Sequence, residues 1–421
     1  MKKDFAYAAA LDAADPLAAF RADFCIPQHN GKEQLYFLGN SLGLPNRNTR
    51  SRLNEVLDQW ERWGVEAFFM GDDPWLYYHD HLTGPMARIV GALPSEVVLM
   101  NQLTVNLHLL LTSFYRPQGK RQKILCEAKA FPSDQYMLET HVRQRGLDPE
   151  NIIVELAPRA GETAIREEDI LHTISQLGEE LALVCWGGLH YYTGQAFDMK
   201  AITEAGHAAG AKVGFDLAHA AGNIPLQLHD WQVDFAAWCN YKYLNGGPGA
   251  IGGAFVHERY HNDNSLPRLA GWWGYKRDTR FLMEKGFRPE TGAAGWQLST
   301  PSALQYACLR ASLDLFDAAG FERIVEKGRA LSAYLLELLQ DINTTAAAPA
   351  LEILTPTDPA AHGCQVSLLM RKRGREIFEQ LQAEGIFVDW REPNVIRLAP
   401  VPLYNRFTEV WQFADCLRRM L

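Results

Sequence analysis

Cysteine pairs are missing from this chain. Its seven cysteines, at 25, 126, 185, 239, 308, 364 and 416, include no Cys-x-x-Cys. Neither a thiolate zinc site nor a disulfide framework is indicated. Most sit in apolar runs such as Leu183-Val184-Cys185-Trp186, where a free cysteine acts as a small hydrophobe. A reducing, cytoplasmic setting is expected. Excess positive charge is also absent. Lys and Arg number 41 against 50 Asp and Glu, a net charge of −9. That argues against nucleic acid as a partner. Long apolar runs are missing too. The alanine-rich stretch after Lys2-Lys3-Asp4 is broken by Asp12 and Asp15, so neither a signal peptide nor a membrane partner is expected. There are no repeats and no low-complexity tract beyond Ala346-Ala347-Ala348, expected to be a loop.

What is present is an ordinary globular composition, 47% apolar and 22% charged. A chain of 421 residues is too long for one compact core, so two domains are expected. From about residue 85 to 260, short apolar runs alternate with helical stretches. Strands are predicted at 97–100, 123–126, 152–155, 181–186, 212–216, 235–239 and 253–257. Helices are predicted at 103–115, 132–145, 166–177 and 198–210. This alternation points to an α/β fold with a mostly parallel seven-stranded sheet. Residues 1–60 read as a helical lead-in with a strand-like Leu35-Tyr36-Phe37-Leu38. Residues 303–341 read as long amphipathic helices. Residues 351–421 read as a smaller α+β unit with strands at 365–370 and 395–399.

In open parallel sheets, ligands bind beyond the carboxyl ends of the strands. Three such ends carry chemistry here. Asp216 and His219 follow Val213-Gly214-Phe215. Phe131-Pro132-Ser133-Asp134 follows another run. Leu103-Thr104 follows a third and opens a helix, where a hydroxyl and free N–H groups suit an anion. Lys242 lies in Asn240-Tyr241-Lys242-Tyr243-Leu244-Asn245-Gly246-Gly247. Taken alone, Asp216-x-x-His219 reads as an N-cap aspartate and a core histidine. With Lys242 it reads differently. A lysine amine can form a Schiff base with an aldehyde cofactor, and a carboxylate at a strand end can keep a pyridine nitrogen protonated. That combination indicates pyridoxal 5'-phosphate (PLP). Phe131 can stack on the ring. Tyr241 could bind phosphate or transfer protons. Arg397, inside the apolar Asn394-Val395-Ile396-Arg397-Leu398-Ala399-Pro400, needs an anionic partner, either an amino-acid carboxylate or a protein carboxylate in a structural salt bridge. Trp272-Trp273-Gly274 and Ser299-Thr300-Pro301 read by themselves as packing or turn residues. His79-Asp80-His81 and His257–His261 lack a third ligand nearby, so no metal is expected.

These stretches resemble the kynureninase family, among the aspartate-aminotransferase-like (type I) PLP enzymes. The resemblance also covers Tyr36-Phe37-Leu38-Gly39-Asn40-Ser41-Leu42-Gly43, Met100-Asn101 through Leu110, Ala128-Lys129-Ala130-Phe131, Tyr192-Thr193-Gly194-Gln195, Gly214 to Ala220 and His229-Asp230-Trp231. It implies a PLP-dependent transferase-like fold: an N-terminal segment (1–60) packing with the small domain, a large PLP-binding domain (61–302) and a small C-terminal domain (303–421). It implies that Lys242 carries the cofactor, Asp216 pairs with its ring nitrogen and Phe131 stacks on it. Leu103, Thr104, Pro132, Ser133, Asp134, His219 and Tyr241 would make further cofactor contacts. Trp272 and Thr300 would reach the cofactor phosphate across a homodimer interface. Arg397 would bind the substrate carboxylate, with Asn40 and Ser41 beside it. Catalysis would fall to Lys242 and Tyr241. At Gly187, some relatives carry a serine near the cofactor. The implied reaction is hydrolysis of L-kynurenine or its 3-hydroxy form to anthranilate or 3-hydroxyanthranilate and L-alanine, in tryptophan degradation or NAD biosynthesis. Animal relatives place a histidine in the segment before Pro74-Trp75. Glu66-Ala67-Phe68-Phe69-Met70 has none, which favours plain kynurenine. The rivals are a cysteine desulfurase or aminotransferase of the same fold, the former needing a mobile thiol such as Cys364, and a non-catalytic PLP-fold sensor.

Overall fold

The computed structural model of the chain describes residues 4–263, 265–345 and 349–421. Lys2, Lys3 and the alanine run 346–348 lie outside them. Seven strands form the main sheet. They are β1 (Val97–Leu99), β2 (Lys123–Glu127), β3 (Ile153–Leu156), β4 (Leu181–Gly187), β5 (Lys212–Asp216), β6 (Phe235–Trp238) and β7 (Gly253–Val256). Their spatial order is β1-β7-β6-β5-β4-β2-β3. The pairings β3-β2-β4-β5-β6 are all parallel, and β7 runs antiparallel to both β6 and β1. The expected mostly parallel sheet is therefore present, with strand ends within about a residue of the predicted ones.

Sequence explains the layering. β4 is Leu-Ala-Leu-Val-Cys-Trp-Gly with its first six residues buried. Such a continuous apolar run is what a strand covered by helices on both faces requires. On one face lie the helices Leu103–Phe114 and Pro132–Gln144, the latter started by a proline in its first turn. On the other lies Met199–Ala208, whose N-cap Asp198 accepts from the Ala201 N–H at 2.9 Å. Gly214 in β5 is required by packing: a Cβ there would lie 2.1 Å from the Phe235 ring. That ring stacks on Phe114 at 4.8 Å.

Four antiparallel strands form the second sheet: β8 (Leu351–Ile353), β9 (Val366–Met370), β10 (Asp389–Arg391) and β11 (Val395–Leu398), in the order β8-β9-β11-β10. The N-terminal segment is tied to this unit. Leu35–Tyr36 pairs in parallel with Ile386–Phe387. The Asp12 carboxylate caps the last helix, Phe407–Met420, by accepting from the N–H of Phe407 (2.6 Å) and Thr408 (3.1 Å). The helix Ala303–Ala319 instead enters the core beneath the main sheet, with Tyr306 donating to the Leu99 carbonyl at 2.8 Å. Among the described residues, no helix is long and apolar enough to cross a membrane.

Candidate active site

The carboxyl ends of β2, β4 and β5 and the loop after β6 enclose a cavity of about 220 Å³. Its walls include Leu103, Thr104, Phe131, Ser133, Asp134, Asp216, His219, Tyr241 and Lys242, nine of the positions expected from sequence. The turn that presents Lys242 is built by its own residues. Asn245 takes a left-handed conformation (φ 51°) and Gly247 follows at φ 93°. The Gly246 N–H donates to the Asn240 carbonyl at 2.7 Å, which closes the loop on itself.

Within the cavity, Lys242 Nζ lies 3.0 Å from His219 Nε2. Burial, aided by the Lys242 and Arg397 cations, pushes the His219 imidazole well below its ordinary range. The ring is therefore neutral, and its Nδ1 is buried without a partner. Lys242 Nζ stands 6.0 Å from the Phe131 ring centre and 5.8 Å from that of Tyr241. Burial, followed by the neighbouring Cys239, raises the Tyr241 phenol, so it holds its proton at neutral pH. Asp216 accepts the Ala218 N–H at 2.7 Å. Asp134 is raised well above the usual carboxylate range, first by burial and then by the charge of nearby Asp216.

Gly187, the position where some relatives carry a serine, also lines the cavity, as do Gln102, Glu127, Leu189, Tyr191 and Ala218, which sequence reading did not anticipate. Glu127 had a legible signal: like Asp216, it ends an apolar strand with a carboxylate. Burial pushes its carboxyl up to about 7. Both of its oxygens accept from the Gly187 N–H at 3.1 Å. A Cβ at 187 would sit 2.7 Å from Glu127 Oε1, so Glu127 occupies the space a serine would need there. Tyr191 had no local signal; tertiary packing sets its ring edge-on to Phe131 at 5.2 Å.

Other expected residues lie elsewhere. Pro132 is exposed at the helix start and does not line the cavity. Trp272, 39% exposed, and Thr300, also exposed, are outside it. Arg397 is 1% exposed, paired with Asp389 and donating to the Tyr191 carbonyl. Asn40 is buried and donates to Gln365 at 3.1 Å, and Gln365 in turn donates to that same carbonyl at 2.9 Å. Ser41 is half-buried in the same loop, which two residues on bonds to the Tyr241 carbonyl through the Gly43 N–H at 2.8 Å. A larger cavity of about 610 Å³ shares Tyr191 but holds none of Lys242, Asp216 or His219; the reactive groups sit in the smaller one.

The two histidine segments are absorbed structurally. His79 Nε2 accepts the Leu99 N–H and His81 pairs with Asp73. His257 does gain neighbours that sequence could not show. Glu96 and His229 bring ligand atoms within 4.8 Å of its own. Glu96 is already hydrogen-bonded to His229 and to the Leu93 and Glu258 N–H groups, and His257 Nδ1 accepts the Arg259 N–H, while His257 Nε2 is buried without a partner. Cys364 is buried away from the cavity, its thiol pushed up to about 12, which is unlike a mobile nucleophile.

The donor set fits a phosphorylated pyridine aldehyde. An amine, a carboxylate, an aromatic face and an unpartnered buried imidazole nitrogen converge. The helix Leu103–Phe114 starts at the cavity wall with no side-chain cap, leaving its first N–H groups for an anion.

Comparison with known proteins decides the family. The kynureninase of Flavobacterium psychrophilum is 52% identical over 413 residues, covering 98% of this chain and 97% of that protein. The chain belongs to the kynureninase family. A kynureninase of Xanthomonas campestris pv. campestris is 54% identical over 412 residues, covering 97% and 96%. The family described as "Kynureninase C-terminal domain" matches residues 324–417. Solved structures agree on the fold. A cystine C–S lyase in complex with cysteine persulfide superposes with a TM-score of 0.75 at 18% identity, over 91% of this chain and 97% of that one. A cysteine desulfurase from Escherichia coli gives 0.75 at 16%, over 96% and 98%. The architecture is thus the α/β PLP-dependent transferase-like fold, and the desulfurase likeness extends to fold alone.

Proposed function

We propose that the protein is a PLP-dependent hydrolase that cleaves L-kynurenine to anthranilate and L-alanine. One observation carries this: about half of the residues match kynureninases along nearly the whole chain, and the reactive side chains of that match meet in one cavity. When bound, PLP would supply an electron sink for charge at the substrate Cα. Lys242, Asp216, Phe131, Thr104, the N–H groups at Leu103, and Ser133, Asp134 and His219 would hold it.

The chain's own groups would then do the following. Arg397 grips the substrate carboxylate, with Asn40 and Ser41 shaping the wall beside it. Neutral His219 holds the Lys242 amine through the 3.0 Å hydrogen bond at Nε2. Lys242 moves the proton at the substrate Cα. Water adds to the side-chain carbonyl, and the bond between the acyl carbon and Cβ breaks. The protonated Tyr241 phenol would donate at Cβ and recover a proton from the added water, and Lys242 would return one to Cα, completing L-alanine. In this reading 61–302 carries the cofactor, 303–421 carries Arg397, and 1–60 packs with the latter.

We read the enzyme as a homodimer with a shared site. Trp272 and Thr300 miss their own cavity. Trp272 also sits in an exposed apolar patch with Phe281 at 5.8 Å, and Phe281 lies 5.6 Å from Phe69, the kind of surface that association buries. Plain kynurenine is preferred in this reading, since 66–70 has no histidine for a ring hydroxyl.

The test is a spectrophotometric assay of anthranilate release with added PLP. Release from L-kynurenine is expected. Sulfide release from cysteine without anthranilate would overturn the reading in favour of a desulfurase. A tenfold kcat/KM advantage for 3-hydroxykynurenine, about 1.4 kcal/mol, would reject the substrate preference.

A further inference from the structure

Arg397 is the most deeply buried cation near the cavity, at 1% exposure. It sits on β11 among Val395, Ile396 and Leu398, all buried. Burial alone disfavours its charge, and Asp389 opposes that effect. The two residues are direct cross-strand partners in the β10–β11 ladder. Their relation is therefore fixed by backbone pairing, not by two flexible side chains.

Asp389 Oδ2 accepts from both Arg397 Nε (2.6 Å) and Arg397 Nη2. Arg397 Nη1 donates to the Tyr191 carbonyl. A guanidinium has five N–H groups; three are engaged here and two are left. The same Oδ2 accepts from Arg391 Nε at 3.0 Å. Two arginines thus share one aspartate, and the group carries one net positive charge, which matches one carboxylate. It stands behind the cavity wall: neither arginine lines the cavity, but Tyr191, whose carbonyl accepts from Nη1, does.

We propose that Asp389 is the positioning residue for substrate binding: it locks one edge of the Arg397 guanidinium so that the two remaining N–H groups meet the amino-acid carboxylate. This rests on the reading of Arg397 as the carboxylate partner. The opposite arrangement, in which Asp389 competes with the substrate for Arg397, predicts the opposite sign.

The experiment measures kcat, KM for L-kynurenine and the inhibition constant of L-alanine for the holoenzymes of wild type, Asp389→Ala, Asp389→Asn and Arg397→Ala. Asp389→Ala should raise KM and the alanine inhibition constant about tenfold or more, with kcat changed much less. Asp389→Asn keeps an acceptor oxygen and the fold, and should recover most of the loss. An unchanged or lowered KM in Asp389→Ala overturns the proposal. So does a fall in kcat and thermal stability with KM unmoved, which marks a merely structural role. If Arg397→Ala also leaves KM unmoved, the carboxylate reading of Arg397 itself has failed. If only Arg397→Ala raises KM, the positioning role of Asp389 alone has failed.

Discussion

Lys242 Nζ rests 3.0 Å from His219 Nε2, and the histidine is held neutral by burial and by the lysine itself. The pair defines a direction. A neutral imidazole shares a hydrogen bond with the amine and does not repel it as a cation. The amine is kept in the cavity, 6.0 Å from the Phe131 ring centre and 5.8 Å from that of Tyr241.

Replacing Lys242 with alanine should abolish both the visible absorbance of bound cofactor and anthranilate release, the latter by about 10³-fold or more. Absorbance and a steady-state assay check it. Persistence of both would sink the role given to this lysine.

Arg397→Ala should act mainly on substrate affinity. Removing one partner of a buried ion pair costs about 2–5 kcal/mol, and here it also leaves Asp389 beside Arg391 alone. A raised KM is expected, and product inhibition by L-alanine should weaken in step. An unmoved KM counts against the carboxylate role.

Glu127 makes stability depend on pH. Its folded carboxyl is raised from 4.5 to about 7, mainly by burial. Between those values the folded state keeps a proton that the unfolded state has lost. The contribution is complete below pH 4.5 and declines as pH rises through about 7. Glu127→Gln, neutral throughout, should flatten that decline. It should stabilise the apoprotein relative to wild type by about 1–3 kcal/mol at about pH 8, and change little at acidic pH. Denaturant unfolding at several pH values measures it. Parallel pH profiles for the two proteins would show that Glu127 does not titrate there.

A shared site has a complementation test. Trp272→Ala subunits should bind PLP more weakly although Trp272 lies outside their own cavity. Co-expressed with Lys242→Ala subunits, they should form mixed dimers in which one of the two sites is intact. Activity above the sum of the separate variants is expected. Sedimentation showing a monomer, or no gain on co-expression, would reject it.

Sequence by itself determined the main sheet and much of the cavity. β4 is apolar along its length because both of its faces are covered, so the run itself is readable without coordinates. Asp216 and Lys242 were legible because polar residues that end or follow apolar runs stand out. Two short strands of the second sheet were not legible. β8 and β10 are three residues each with only partly apolar sequences, and they exist because β9 and β11 offer ladder partners. Likewise Asp389 in the sequence is one acid among many. Only cross-strand register puts it against Arg397, and only the fold brings that arginine to the carbonyl of Tyr191, which lines the cavity. Glu96, His229 and His257 are far apart in the chain, and the fold brings them together as a hydrogen-bonded cluster. Local pattern fixes which elements form. Which side chains meet is decided by long-range pairing, because each such contact depends on two distant segments adopting one register.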